Sequence, residues 1–141
     1  MGNTTSILRK LGNAYMDAAY QVKSNDNSSK GYYKKALDCY SELESNSYSS
    51  FNDKLNLSIC YRALERYSDS IKVLKQMEKD NDDYRVYMNL AFTYERQNDV
   101  ENCVKYVSKC LRKYESTAEA EKESEGSDNI QNIKELEKKY R

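Results

Sequence analysis

Leu90-Ala91-Phe92-Thr93-Tyr94, followed by Cys103, Val107 and Cys110, is the stretch whose spacing decides the fold. A Leu and a small residue are followed by a Tyr one helical turn on. Nine residues after that Tyr, a second small residue leads apolar residues placed four and seven further along. Both intervals match the 3.6-residue period of an α-helix, so two helices with facing apolar sides and a short turn are predicted. The signature recurs as Leu57-Ser58-x-x-Tyr61 with Ser70, Leu74 and Met77, and as Leu11-Gly12-x-x-Tyr15 with Ala36, Tyr40 and Leu43. The second halves, at 36, 70 and 103, step by 34 and 33 residues. A period in this range marks a repeat whose single unit cannot bury its apolar face and stacks on the next.

The small residues (Gly12, Ser58 and Ala91, then Ala36, Ser70 and Cys103) let paired helices approach closely, and the Tyr fills the wedge between them. The first unit has twelve more residues between Tyr15 and Ala36 than the others have in that interval. Ala18, Ala19 and Val22 continue its apolar stripe, which predicts a first helix extended to about Lys23 and a loop over Asn25-Asp26-Asn27-Ser28-Ser29. Turns are expected at Ser45-Asn46-Ser47 and at Asp80-Asn81-Asp82-Asp83, the latter a helix stop followed by an N-cap. Past Tyr114, Glu119, Glu121, Glu123 and Glu125 form an acidic extension or linker that Gly126 breaks. Asp128, with Gln131 three residues on, is placed to cap a last helix bearing Ile130, Ile133, Leu136 and Tyr140 on one stripe. The expected organisation is a flexible end at 1–4, three units at about 5–47, 50–81 and 83–114, an extension at 115–127 and a capping helix at 128–141.

The pattern resembles that of tetratricopeptide-repeat (TPR) proteins over roughly residues 5–114. The resemblance implies an all-α, right-handed solenoid of three helix hairpins plus a C-terminal capping helix. It implies a protein–protein interaction scaffold that holds a peptide or protein segment in a concave groove. The chain departs from the TPR pattern where Trp is usual, with Leu8, Lys54 and Tyr87, and in having no proline after any second helix. Asn52-Asp53-x-x-Asn56-Leu57-x-Ile59-Cys60-Tyr61 and Asp83-Tyr84-Arg85-Val86-Tyr87-Met88-Asn89-Leu90-Ala91-Phe92, with the Gly126-Ser127-Asp128 break, further resemble TPR regions trailing bacterial serine/threonine protein kinases. That kinship implies a regulatory or docking segment; the kinase's own phosphate loop and catalytic motifs are absent from these residues. Self-assembly through an exposed end is a third alternative.

One TPR subfamily grips a terminal carboxylate with basic and Asn side chains, and the corresponding positions here are Arg9, Asn13, Asn56, Arg85 and Asn89. Asn89 stands where that clamp carries a basic residue. Arg suits the task, since its planar fork makes two charge-assisted hydrogen bonds to a carboxylate. The competing reading is structural: Asn is common at these positions in TPR units of any function, where it bonds neighbouring backbone.

Composition narrows the functional classes. The 141 residues carry 23 Lys+Arg and 23 Asp+Glu, so no global field draws the chain to nucleic acid or a membrane surface. No segment is apolar enough to span a bilayer. Histidine is absent, and with it the commonest general base and metal ligand. No nucleophile–base motif, phosphate loop or calcium loop is readable, so no enzyme activity, metal or cofactor is expected. Cys39, Cys60, Cys103 and Cys110 form no CxxC pair and are read as free thiols packed as small apolar residues. A cytoplasmic location follows as the expectation, with the sequons at Asn3, Asn27 and Asn56 left unglycosylated. Met1-Gly2-Asn3-Thr4-Thr5-Ser6 fits a short acylation pattern of a kind that recurs by chance.

Overall fold

The computed structural model describes residues 2–22, 26–122 and 126–141. Among them are seven α-helices, one 3-10 turn at Glu119–Glu121 and no strand. The helices are α1 (Gly2–Gln21), α2 (Asp26–Ser45), α3 (Phe51–Ala63), α4 (Tyr67–Asp80), α5 (Tyr84–Arg96), α6 (Val100–Ser116) and α7 (Gly126–Lys139). The chain forms two compact units, Met1–Val73 and Leu74–Arg141, with the division inside α4. No helix among the described residues is long and apolar enough to cross a membrane.

Some boundaries differ from those the sequence suggests. Helix α1 already includes residues 2–4, set apart above as a flexible end. Residues 26–29, expected as loop, form the first turn of α2. Asp, Asn and Ser are favoured at loops and at helix starts alike, because their short side chains can bond free backbone amides. Ser29 settles the choice, being buried with its hydroxyl donating to the Ala19 carbonyl of α1 (3.4 Å). The expected extension to Lys23, and the cap at Asp128, fall on residues or side chains outside the described set.

Three turns share one geometry. Ser47, Glu65 and Asn98 adopt left-handed φ values of 62°, 63° and 63°. In each case the next amide closes onto a carbonyl five residues back: Tyr48 on Leu43 (2.9 Å), Arg66 on Tyr61 (2.8 Å) and Asp99 on Tyr94 (2.9 Å). This is the Schellman closure, which satisfies orphan carbonyls at a helix end. The last two turns follow the repeated Tyr at the same distance, so the nine-residue spacing read in the sequence corresponds to one repeated turn shape.

In the first unit α1 packs on α2, and α2 on α3. Gly12 marks the closest approach: a β-carbon there would lie 3.0 Å from Tyr40 Cζ and 3.3 Å from Cys39 Cβ. Ser70 and Ser58, the small pair of the next hairpin, touch directly, the Ser70 hydroxyl donating to the Ser58 carbonyl (2.9 Å). The core gathers Met16, Ala36, Leu37, Tyr40, Leu43 and Leu57, with Tyr15 and Tyr61 half-buried against it. Leu11 departs from its repeat equivalents. It is 42% exposed, whereas Leu57 is 3% and Leu90 0% exposed.

In the second unit α5 packs on α6, and α7 lies against both. Ala91 and Cys103, the small pair, are fully buried. Tyr106, which the repeat pattern passes over, is the largest fully buried side chain of this unit. Tyr94 is half-buried and stacks on it, with ring centroids 5.8 Å apart. Ile130 and Ile133 of α7 are buried, and Tyr140 donates its phenol hydrogen to Glu95 Oε2 (2.7 Å). All four cysteines are free and buried. Burial pushes the thiols of Cys60 and Cys110 up to about 12 and that of Cys103 to about 11.

Candidate functional site

The five positions matching the carboxylate clamp all carry internal partners. Arg9, on α1, turns its guanidinium onto Asp53, with Nη2 and Nε donating at 2.8 and 3.0 Å to Oδ2. Asp53 is buried and closes a capping box with Ser50 at the start of α3. Burial raises the Asp53 carboxyl, but the hydrogen bonds from Arg9 and from the Ser50 amide outweigh it and hold it below its ordinary value. The Arg9 fork is thus already filled by a carboxylate of the chain. Asn13 and Asn56 meet on one atom. The Tyr40 phenol donates to Asn13 Oδ1 and accepts from Asn56 Nδ2 (3.1 Å).

In the second unit Arg85 grips Asp83, its Nε and Nη2 donating to Oδ1 (3.0 Å) and Oδ2 (2.9 Å). Asp83 also caps α5 by accepting from the Arg85 amide (2.8 Å). Asn89 is buried and donates to the Arg85 carbonyl (2.8 Å), the backbone-bonding role that competes with ligand binding at such positions. A clamp use of Arg9 would require it to exchange buried Asp53 for the ligand, leaving a desolvated carboxylate unpaired.

A different group of side chains borders an open cleft in the second unit. Asp82, Tyr87, Lys109, Arg112, Lys113 and Ser116 line a shallow cleft of about 280 Å³. The turn after α4 supplies Asp82, α5 supplies Tyr87 and α6 the remainder. Residues 105, 109, 112 and 116 share one face of α6 by helical spacing, with 113 beside them.

Two of the lining residues, Tyr87 and Lys109, lead into a partly buried network. Tyr106 lies beside Tyr87 with centroids 6.3 Å apart. Lys109 sits over both rings, 4.8 Å from the Tyr87 centroid and 5.3 Å from that of Tyr106. Glu78 Oε1 accepts from the Tyr106 phenol (2.9 Å) and Glu78 Oε2 from Lys109 (2.9 Å), while Lys75 donates to the Tyr106 oxygen (2.7 Å). Burial raises the Glu78 carboxyl, and the bonds from Lys109, Tyr106 and Lys75 more than reverse it, leaving it below its ordinary value. Glu78 is thus drawn inward by its partners, while the Lys75 side chain stays 45% exposed.

The rim is looser. Tyr87 donates to Asp82 Oδ1 (2.6 Å), and Lys113 Nζ stands 3.3 Å from Asp82 Oδ2. The Asp82 side chain is 72% exposed, and its carboxyl is lowered by the hydrogen bonds from Tyr87 and Lys113. Arg112 is exposed and has no ion pair among the described residues. The rim can hold an anionic group, since a phenol hydrogen, an ammonium and a guanidinium border one open space.

Sequence reasoning passed over this cleft, although one signal for it was legible. Between Asn102 and Tyr114 helix α6 carries Lys105, Lys109, Arg112 and Lys113 with no acid among them. Among the described residues no cluster of Cys, Asp or Glu could hold a metal ion. No protein-family model matches the chain, and no curated protein matches it.

Proposed function

We propose that the chain is a non-enzymatic, TPR-type scaffold that binds a peptide or protein segment, its hairpins being units of a right-handed solenoid closed by α7. The repeated small-residue contacts and the turn shape shared after Tyr61 and Tyr94 support the repeat. The cleft of the second unit carries the binding reading. It is open and bordered by groups of unlike chemistry, which suits an extended chain better than an enclosed small molecule.

Panning a random peptide library against the purified chain tests this. Enriched sequences that bind the chain in solution, and fail to bind an unrelated helical protein, are the expected result. Absence of any enrichment above that control would overturn the reading. Self-assembly is the second reading, favoured by Ile7 and Leu11, exposed and one helical turn apart on α1. Light scattering decides it, because a monomer at high concentration excludes it.

A further inference from the structure

We infer that the α5/α6 cleft of the second unit docks an acidic peptide segment, one of whose carboxylates takes the place that Asp82 holds in the free chain. This rests on the scaffold reading and adds to it the chemistry of the partner and the position of the contact.

Charge complementarity is the first support. Lys105, Lys109, Arg112 and Lys113 are concentrated on α6, and two acids that face them, Glu78 and Asp82, are already engaged. Glu78 is bonded to Tyr106 and Lys109, and Asp82 is shared between Tyr87 and Lys113. Arg112 is left at the rim with its charge unpaired among the described residues.

The second support is Asp82 itself. It belongs to a polar turn and is mostly exposed, yet its carboxylate is held by the Tyr87 phenol and Lys113. It shows how the rim receives a carboxylate. Because an exposed ion pair is worth little, an incoming acid that also reaches Arg112 can replace it.

The same geometry disfavours a single-stranded nucleic acid. Such ligands stack bases on open aromatic faces. Here Tyr87 and Tyr106 are buried, and Lys109 covers both rings. An acidic peptide needs only the cations at the rim.

The test is fluorescence anisotropy of a labelled, end-blocked oligoglutamate peptide titrated with the full chain. Oligolysine and oligothymidine probes of equal length serve as comparisons. Arg112→Glu with Lys113→Glu should weaken oligoglutamate binding at least about tenfold, the range of close interfacial charge pairs. Lys30→Glu with Lys34→Glu, an equal charge change at exposed α2 positions that do not line the cleft, should alter it by less than about twofold. Asp82→Asn should tighten binding by about threefold or more, since it neutralises the internal competitor. Tyr87→Phe, which keeps the ring and removes only the donor, should weaken binding severalfold, and the thermal melt of Asp82→Asn, expected to match the parent, separates a change in binding from a loss of fold.

Equal losses in both double variants, no binding of oligoglutamate, or tighter binding of oligothymidine would overturn the inference. Library peptides that bind equally well to Arg112→Glu/Lys113→Glu would remove the acidic cleft and leave the scaffold standing. A chain that binds neither oligoglutamate nor any library peptide removes both.

Discussion

The hairpins α1/α2 and α5/α6 carry one sequence signature and satisfy it in different ways. In the first, Gly12 admits the ring of Tyr40, whose phenol is held between two amides, Asn13 and Asn56. In the second, Ala91 and Cys103 close the small positions, and rings of Tyr94, Tyr106 and Tyr87 lie in series. Burial differs too. Helix α5 has α6 and α7 over it, and its Leu90 is inaccessible, while the equivalent Leu11 on α1 is open. The register of a repeat decides which residues could be buried, and the neighbours present decide which of them are.

The sharpest way to break this comparison is to remove the two anchoring rings. Tyr106→Ala and Tyr40→Ala should each lose about 3–5 kcal/mol of stability in urea unfolding, the range for deleting a buried aromatic side chain. A cost below about 1 kcal/mol at Tyr106 would show that the ring series is not a core, since surface substitutions fall in that range.

The small positions come next, and here the two hairpins should respond with opposite steric demands. Gly12→Val should lose about 2–3 kcal/mol by driving a side chain into the buried Tyr40 ring, partly offset by relieving glycine's poor helix propensity. Ala91→Gly should lose about 1–2 kcal/mol through lost propensity and a small void. If Gly12→Val melts like the parent, the close approach at Tyr40 is not tight.

Acid should separate the units through their depressed carboxylates, Asp53 in the first and Glu78 in the second. Such a group contributes stability that is fully present above its unfolded value, about 4, and is lost as pH falls through its lower folded value. Asp53→Asn should lower stability at neutral pH by about 1–2 kcal/mol and flatten the fall below pH about 4. Glu78→Gln should do the same through the Tyr106 network. An unchanged acid profile in Asp53→Asn would mean that Arg9 does not hold that carboxylate in solution.

The smallest effect has the reverse sign. Glu65→Gly should stabilise by about 1 kcal/mol, because a residue with a β-carbon is strained at left-handed φ. Asn98→Gly should gain less, about 0.5 kcal/mol or under, since Asn tolerates that region. Thermal melts of the two variants give the ordering, and a destabilised Glu65→Gly would refute it.

Much of the architecture was legible because it depends on local periodicity. The stripe at 57, 60 and 61 falls on α3 and that at 103, 107 and 110 on α6, and the polar run Asp80–Asp83 ends α4 and caps α5. The start of α2 was hidden because Asp, Asn and Ser serve loops and helix ends equally. Exposure of Leu11 could not be read from its register, which is the same as that of Leu57 and Leu90.

The cleft was obscured for another reason. Tyr106 falls at a position that the small–x3–apolar–x2 pattern does not sample, and Asp82 was read only as part of a turn. The clamp positions are the converse case. Their residue types suit a ligand's carboxylate, but Asp53, Asp83 and the Tyr40 phenol are also within reach, and only three-dimensional placement reveals those partners.

Each compact unit encloses two thiols, Cys39 and Cys60 in one, Cys103 and Cys110 in the other. Since only an accessible thiolate attacks an alkylating reagent, burial in the native chain suppresses reaction on both counts. Timed alkylation followed by peptide mass mapping would therefore clock the breathing of each half separately, with no engineered label.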